Sequence, residues 1–210
     1  MRTSIDNPHF LMRRLHSLLG LLPIGGFLMF HLWENSQSRF GAERYNVDVV
    51  GQLQQLNYLP LLEIFVIALP ILFHAVYGIR ILSTGRAELA RYPYLRNRLY
   101  WLQRISGVGT LVFLLVHVGL TRFWAILDPG VRADLFGHMR ALLSHPSVLG
   151  LYLAGLLLAV LHLSNGLWSM GIVWGVTTSP RAQQLSGYAC TGIGVLLAGL
   201  GLHGLIGFLL

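Results

Sequence analysis

Five stretches of this chain, residues 15–33, 59–82, 99–127, 148–176 and 188–210, each offer about the 20 apolar residues that a helix needs to cross roughly 30 Å of hydrocarbon. In lipid every backbone polar group must be satisfied within the protein, and apolar runs of this length do so as helices. Of 210 residues only 11% are charged and the mean hydropathy is +0.62, against about 25% charged in an ordinary soluble domain. The expected fold is an all-α integral membrane protein, with 1–210 as a single membrane domain. No Ser/Gly linker or low-complexity tract divides it. Arg13 and Arg14 precede the first stretch as they would a signal peptide, yet it runs on to His31, Trp33 and Glu34 without a small-residue cleavage site, so it reads as a retained span.

The net charge of +7 comes from 15 basic residues, all arginine. No basic face with interleaved aromatics appears, which argues against nucleic acid as a partner and leaves membrane lipid. Arg2, Arg13, Arg14, Arg80, Arg86, Arg91, Arg96, Arg98, Arg104 and Arg181 fall on one edge of the spans, and Arg39, Arg44, Arg122, Arg132 and Arg140 on the other. By the positive-inside rule, 10 against 5 places the N-terminus in the cytoplasm and the C-terminus outside. The outer connections, residues 35–58 and 128–146, are long enough to form a cap, and 131–143 reads as a short amphipathic helix on the interface. Pro23 and Pro70, inside spans one and two, each remove a helical hydrogen bond and predict kinks.

Four of the spans carry one deeply placed histidine each, His31, His74, His117 and His162, at intervals of 43, 43 and 45 residues. An ionisable ring at bilayer depth is costly without a partner and marks a functional site. Spans one and three run outward and put His31 and His117 in the outer half; spans two and four run inward and put His74 and His162 in the inner half. Pairing by level gives two bis-histidine sites, His31 with His117 and His74 with His162, stacked on the order of 15 Å apart at 1.5 Å rise per residue. That arrangement suits metal porphyrin, a bundle of five helices around two stacked haems. Cys190 is the only cysteine, so there is no C-x-x-C-H attachment site and any haem is non-covalent and b-type. With both axial positions filled, such a haem transfers electrons rather than activating oxygen.

Alternatives stay open at this point. His16 and His203 lie at depths that let them compete for the inner and outer sites, while His9, His138 and His145 fall outside the cores and read as solvated. A glycine follows His74, His162, His16 and His203 by four residues in every case, so that offset discriminates nothing. Propionate partners for the inner haem are sought among Arg13, Arg14, Arg98 and Arg104. Glu63, the acidic residue inside a span, stays protonated, pairs with an arginine, or carries protons for quinone chemistry. Trp33, Tyr58 and Trp124 wall a quinone pocket or form an interfacial belt.

The segments Arg13-Arg14-Leu15-His16-Ser17-Leu18-Leu19-Gly20, Leu62-Glu63-Ile64-Phe65, His74-Ala75-Val76-Tyr77-Gly78, Leu102-Gln103-Arg104-Ile105-Ser106-Gly107 and His162-Leu163-Ser164-Asn165-Gly166-Leu167-Trp168-Ser169 together closely resemble the cytochrome b558 membrane-anchor subunits of bacterial succinate dehydrogenase, the five-helix, two-haem type. The likeness extends over nearly the whole chain. It implies a multi-pass subunit of the bacterial cytoplasmic membrane, with a flavoprotein subunit carrying FAD and an iron-sulfur subunit on its cytoplasmic face. Electrons would pass through the inner and then the outer haem to menaquinone. The family's axial positions fall on His31 and His117 for the outer haem and His74 and His162 for the inner; His16 matches a position not used as a ligand. Related dihaem fumarate reductases carry a proton-transferring glutamate where this chain has Val160, so charge movement here is expected to couple to the membrane potential. Two other readings remain: the haem b subunit of another quinone-linked respiratory oxidoreductase, and a haem-free membrane protein whose histidines bond polar neighbours.

Overall fold

The computed structural model describes residues 8–85, 89 and 91–210; Arg2 and Arg86, counted in the arginine asymmetry, lie outside the described residues. Five helices are long and apolar enough to cross a membrane: α1 His9–Phe40, α2 Leu59–Thr84, α3 Leu95–Leu127, α4 Pro146–Val173 and α5 Pro180–Leu209. Two ends differ from the apolar stretches for reasons that hydropathy does not carry. α5 begins well ahead of residue 188, because Ser179 caps it by accepting the Ala182 N–H at 3.2 Å and Pro180 occupies the first turn, where no N–H is needed. α4 stops at Val173 rather than 176, because Gly175 takes φ +74° and the next two N–H groups turn back onto the Gly171 carbonyl.

The prolines act as expected on the hydrogen-bond ladder. A widened π-type turn surrounds Pro23 at Gly20–Gly25, and another, Glu63–Ala68, lies just before Pro70; each absorbs the donor that proline lacks. A third, Gly119–Phe123, interrupts α3 from two residues after His117 without any proline. Side chains take up its carbonyls: the Thr121 hydroxyl donates to His117 at 2.7 Å and the His138 Nε2 to Leu120 at 2.8 Å. His138 is therefore a tie between the connection and α3, not the solvated ring its position implied.

α1 packs against α2 and α5, α4 packs against α3 and α5, and α2 meets α3 more sparsely, so the five helices close a ring. α5 approaches the end of α1 backbone to backbone, with the Ser38 hydroxyl donating to the Gly204 carbonyl at 2.8 Å, as small residues permit between membrane helices. Leu32, Leu156, Val160, Leu163 and Leu197 form a buried cluster between α1, α4 and α5. A second cluster, Tyr45, Phe136, Met139, Leu143, Tyr152 and Phe208, closes the end that carries the two long connections, hereafter the cap end.

Within the cap, 131–143 is not one interfacial helix. Asp134 splits it into a turn, Pro129–Ala133, and a helix, Leu135–Leu143. The apolar face of that helix, Phe136, Met139 and Leu143, packs on the bundle rather than on lipid. Asp134 accepts the Gly137 N–H and the Asn46 amide, both at 2.8 Å, and these bonds hold its carboxyl below the usual carboxylate value. Because the folded value lies below the unfolded one, near 4, the cap is fully present above that pH and is lost as pH falls through the folded value. Replacing Asp134 with alanine is expected to weaken this helix at neutral pH by about 1 kcal/mol, read as faster amide exchange over 135–143. Unchanged exchange would show that the cap contributes nothing.

Candidate functional site

The ring of helices brings the four span histidines together in pairs. His74 of α2 and His162 of α4 have ring centres 6.1 Å apart and planes at 90°. His31 of α1 and His117 of α3 stand 5.8 Å apart with planes at 71°. His162 rests on Gly107, which precedes His117 on α3 by ten residues, about 15 Å of helical rise. The pairs therefore occupy two levels, His31 and His117 beneath the cap, His74 and His162 toward the arginine-rich end.

At the arginine-rich level the backbone fixes the rings. His74 Nδ1 lies 2.9 Å from the His16 carbonyl, and His162 Nδ1 lies 3.0 Å from the Gln103 carbonyl. A carbonyl can only accept, so each Nδ1 carries the proton and each Nε2 keeps its lone pair. A metal-ligating histidine is held in the same way, its outer N–H fixed by an acceptor. The Gln103 amide donates to the His162 carbonyl at 3.0 Å, and Asn165 donates to Gln103 Oε1 at 2.8 Å and to the Leu99 carbonyl at 3.0 Å. Under the cap, side chains do this work. His117 Nδ1 lies 3.2 Å from the Tyr152 hydroxyl and Tyr45 donates to Asn35 Oδ1 at 3.0 Å, but among the described residues His31 has no such acceptor: the Asn35 amide, a donor, bonds the His31 carbonyl at 2.7 Å and lies 3.3 and 3.2 Å from its Nδ1 and Nε2.

With a metal–imidazole bond of about 2 Å and a ring centre roughly 1 Å behind its nitrogen, two axial imidazoles stand roughly 6 Å apart. Both pairs meet that spacing. The competing His16 does not: its ring lies face to face with His74, centres 4.0 Å apart and planes at 9°, so the two in-plane lone pairs cannot converge on one ion. His203 is exposed on α5, away from the interior. Among the described residues no group of three or more His, Cys, Asp or Glu side chains is placed to hold a metal ion. A site with two protein ligands fits a metal whose other positions are filled by a macrocycle.

Room for a flat group exists between α2 and α3. An apolar cleft of about 420 Å³ is lined by Leu82, Trp101, Arg104, Ile105, Val108 and Gly109. Val108 and Gly109 adjoin Gly107, so the cleft reaches the level of His162, while Trp101 and Arg104 line it one to two turns nearer the arginine-rich end. Trp101 Nε1 is buried without a hydrogen-bond partner, a costly state unless an acceptor arrives. Neither His74 nor His162 lines this cleft, so it suits an edge of a macrocycle held between those rings, with Trp101 and Arg104 as candidates for its carboxylate tails. Of the four arginines proposed for that role, Arg104 adjoins the cleft and donates to the Leu82 and Ile81 carbonyls at 3.2 and 3.3 Å. Arg14 is stacked between Phe10 and Trp174, with its guanidinium carbon 5.0 and 4.8 Å from their ring centres. Arg13 and Arg98 are exposed. Nothing in the sequence distinguishes Trp101 from the other four tryptophans; only the cleft does.

Glu63 takes the paired alternative. Arg122 donates to its two carboxylate oxygens through Nε and Nη2, both at 2.7 Å, the bidentate geometry that favours arginine. Among the described residues the acid that the fold buries is Glu34, 7% exposed, at the cap end of α1. Trp33, Tyr58 and Trp124 are each half exposed or more, facing outward as a belt does rather than walling a cavity.

Residues 89–201 match a protein family described as the succinate dehydrogenase/fumarate reductase transmembrane subunit. Over 202 residues the chain is 42% identical to the succinate dehydrogenase cytochrome b558 subunit of Bacillus subtilis (strain 168), an alignment covering 96% of this chain and 98% of the relative.

Proposed function

This chain belongs to the succinate dehydrogenase/fumarate reductase transmembrane subunit family, and on that premise we propose that it is the membrane anchor and dihaem cytochrome b subunit of a succinate:menaquinone oxidoreductase. It is a multi-pass protein of the bacterial cytoplasmic membrane. In this reading the arginine-rich end faces the cytoplasm and receives the iron-sulfur subunit, with the FAD-bearing flavoprotein beyond it, and the cap end lies outside, near menaquinone. When bound, two b-type haems supply a pair of one-electron carriers with no open coordination position.

The chain's own residues then have distinct tasks. His74 and His162 hold the inner iron, and His31 and His117 the outer. The carbonyls of His16 and Gln103 keep the inner imidazoles in the tautomer that offers Nε2. Arg104 and Trp101, which line the cleft, would receive a propionate. Glu63 and Arg122 tie α2 to α3. Val160 lies in an apolar cluster, so no carboxylate at that place moves a proton with the electrons, and turnover is expected to respond to membrane potential. The single observation carrying the reading is the pair of imidazole couples at ligand spacing, one at each level.

Purification with partner subunits tests the whole. The expected preparation shows b-type α-bands in the reduced-minus-oxidised spectrum, an FAD-bearing partner and succinate activity. Bands without succinate activity would favour another quinone-linked oxidoreductase; no bands would leave a haem-free anchor. Replacing Trp101 with phenylalanine should remove a donor from a propionate, leave more of its negative charge uncompensated, and lower the inner haem's midpoint by on the order of tens of millivolts. A redox titration with an unmoved inner wave would place the propionate elsewhere.

A further inference from the structure

The inner histidines are seated by the same device on two separate helix pairs. On α1 and α2, His74 Nδ1 donates to the His16 carbonyl while the His16 ring, stacked on that of His74, brings its Nε2 over Gly78. On α3 and α4, His162 Nδ1 donates to the Gln103 carbonyl while the Gln103 amide donates to the His162 carbonyl. All four residues are followed by glycine four positions on: Gly20, Gly78, Gly107 and Gly166. Each glycine lies under the side chain from the opposite helix. A Cβ on Gly20 would stand 2.5 Å from His74 Cε1 and 2.9 Å from its Nδ1; one on Gly107 would stand 2.7 and 3.1 Å from the same atoms of His162. On the reciprocal side, a Cβ on Gly78 would lie 3.3 Å from His16 Nε2, and one on Gly166 3.2 Å from Gln103 Nε2.

The four-residue offset has a physical origin. A helical carbonyl accepts the N–H of the residue four on, so that residue's Cβ is the group beside the carbonyl's open flank. With glycine there, a ring from the neighbouring helix can come in as a second donor; with any other residue the flank is closed. His16 in the first clasp thus holds the place that Gln103 holds in the second.

Resting on the reading of His74 and His162 as axial ligands, we propose that Gly20 and Gly107 are positioning residues for the inner haem, and that His16 is the counterpart of Gln103 and not an iron ligand. Losing the Nδ1–H bond to a carbonyl makes an imidazole a weaker donor, which stabilises ferric iron less and raises the potential.

The test uses the assembled complex, with the outer haem as internal control. Gly20→Ala and Gly107→Ala are expected to raise the inner haem's midpoint, a tenfold change in the ferrous-to-ferric ratio being about 59 mV for one electron, or to lose that haem. Its low-temperature electron paramagnetic resonance (EPR) signal should change while the outer signal stays. His16→Gln should keep both haems with the inner midpoint near that of the parent, since glutamine fills the same place in the second clasp. An unmoved inner midpoint and EPR signal in both alanine variants, or loss of the inner haem in His16→Gln, overturns the proposal. If an alanine variant assembles with neither haem, His16→Gln decides alone. A parent complex without any inner haem would instead overturn the reading on which this inference rests.

Discussion

His162→Ala is expected to lose the inner haem and to cut succinate-to-menaquinone electron flow by more than about 100-fold, while succinate oxidation with a dye acceptor persists. Losing even an outer-shell partner of a metal ligand costs roughly 10–100-fold in metal affinity, and here the ligand itself is removed. Among the described residues the near neighbours of His162 are Gln103, Ser106 and Gly107, and its ring contact is with His74 across the site, so no imidazole in contact with it on its own side replaces it. His74→Ala should do the same, though it is the less clean experiment, because the His16 ring already stacks on His74 at 4.0 Å and lies closest to the vacated place. Dye-linked activity should survive in both, because in the proposed complex succinate is oxidised in the flavoprotein. Two haems retained in His162→Ala would refute the pairing of α2 with α4.

The second large effect is expected at the other level. His31→Ala or His117→Ala should lose the outer haem, leave the inner haem reducible by succinate, and abolish menaquinone reduction to a comparable extent. The reasoning is geometric: about 15 Å of helix separates the two levels, and the outer couple is the one beneath the cap. A reduced inner haem that cannot pass its electron on is the signature. Normal menaquinone reduction in either variant would argue against a quinone site at the cap end.

The five-helix fold was legible because a bilayer leaves the backbone so few options: length and hydropathy locate spans without knowledge of any side-chain contact. The couples were legible for a related reason, since topology assigns depth and depth leaves few partners at each level. What hydropathy could not carry was anything decided across helices. His16 and His74 look alike in sequence, each a histidine four residues before a glycine, and only the packing of α1 on α2 separates the ring that stacks from the ring that turns its Nε2 inward. Trp101 carried no mark at all until the cleft beside it was seen. The cap was misread for a local reason: the amphipathic pattern over 131–143 runs smoothly through Asp134, whose side chain prefers to cap the helix after it rather than continue the one before. Glu63 had three open roles, and the choice fell to Arg122, 59 residues away on α3.

The most direct measurement is an EPR spectrum of the oxidised complex taken together with a haem count per chain. Two low-spin ferric signals at two haems per chain are predicted, because on the proposed ligation two imidazoles would clamp each iron and leave no position open. A single haem per chain, or a high-spin signal from an iron with a vacant or water-filled axial position, would contradict the account.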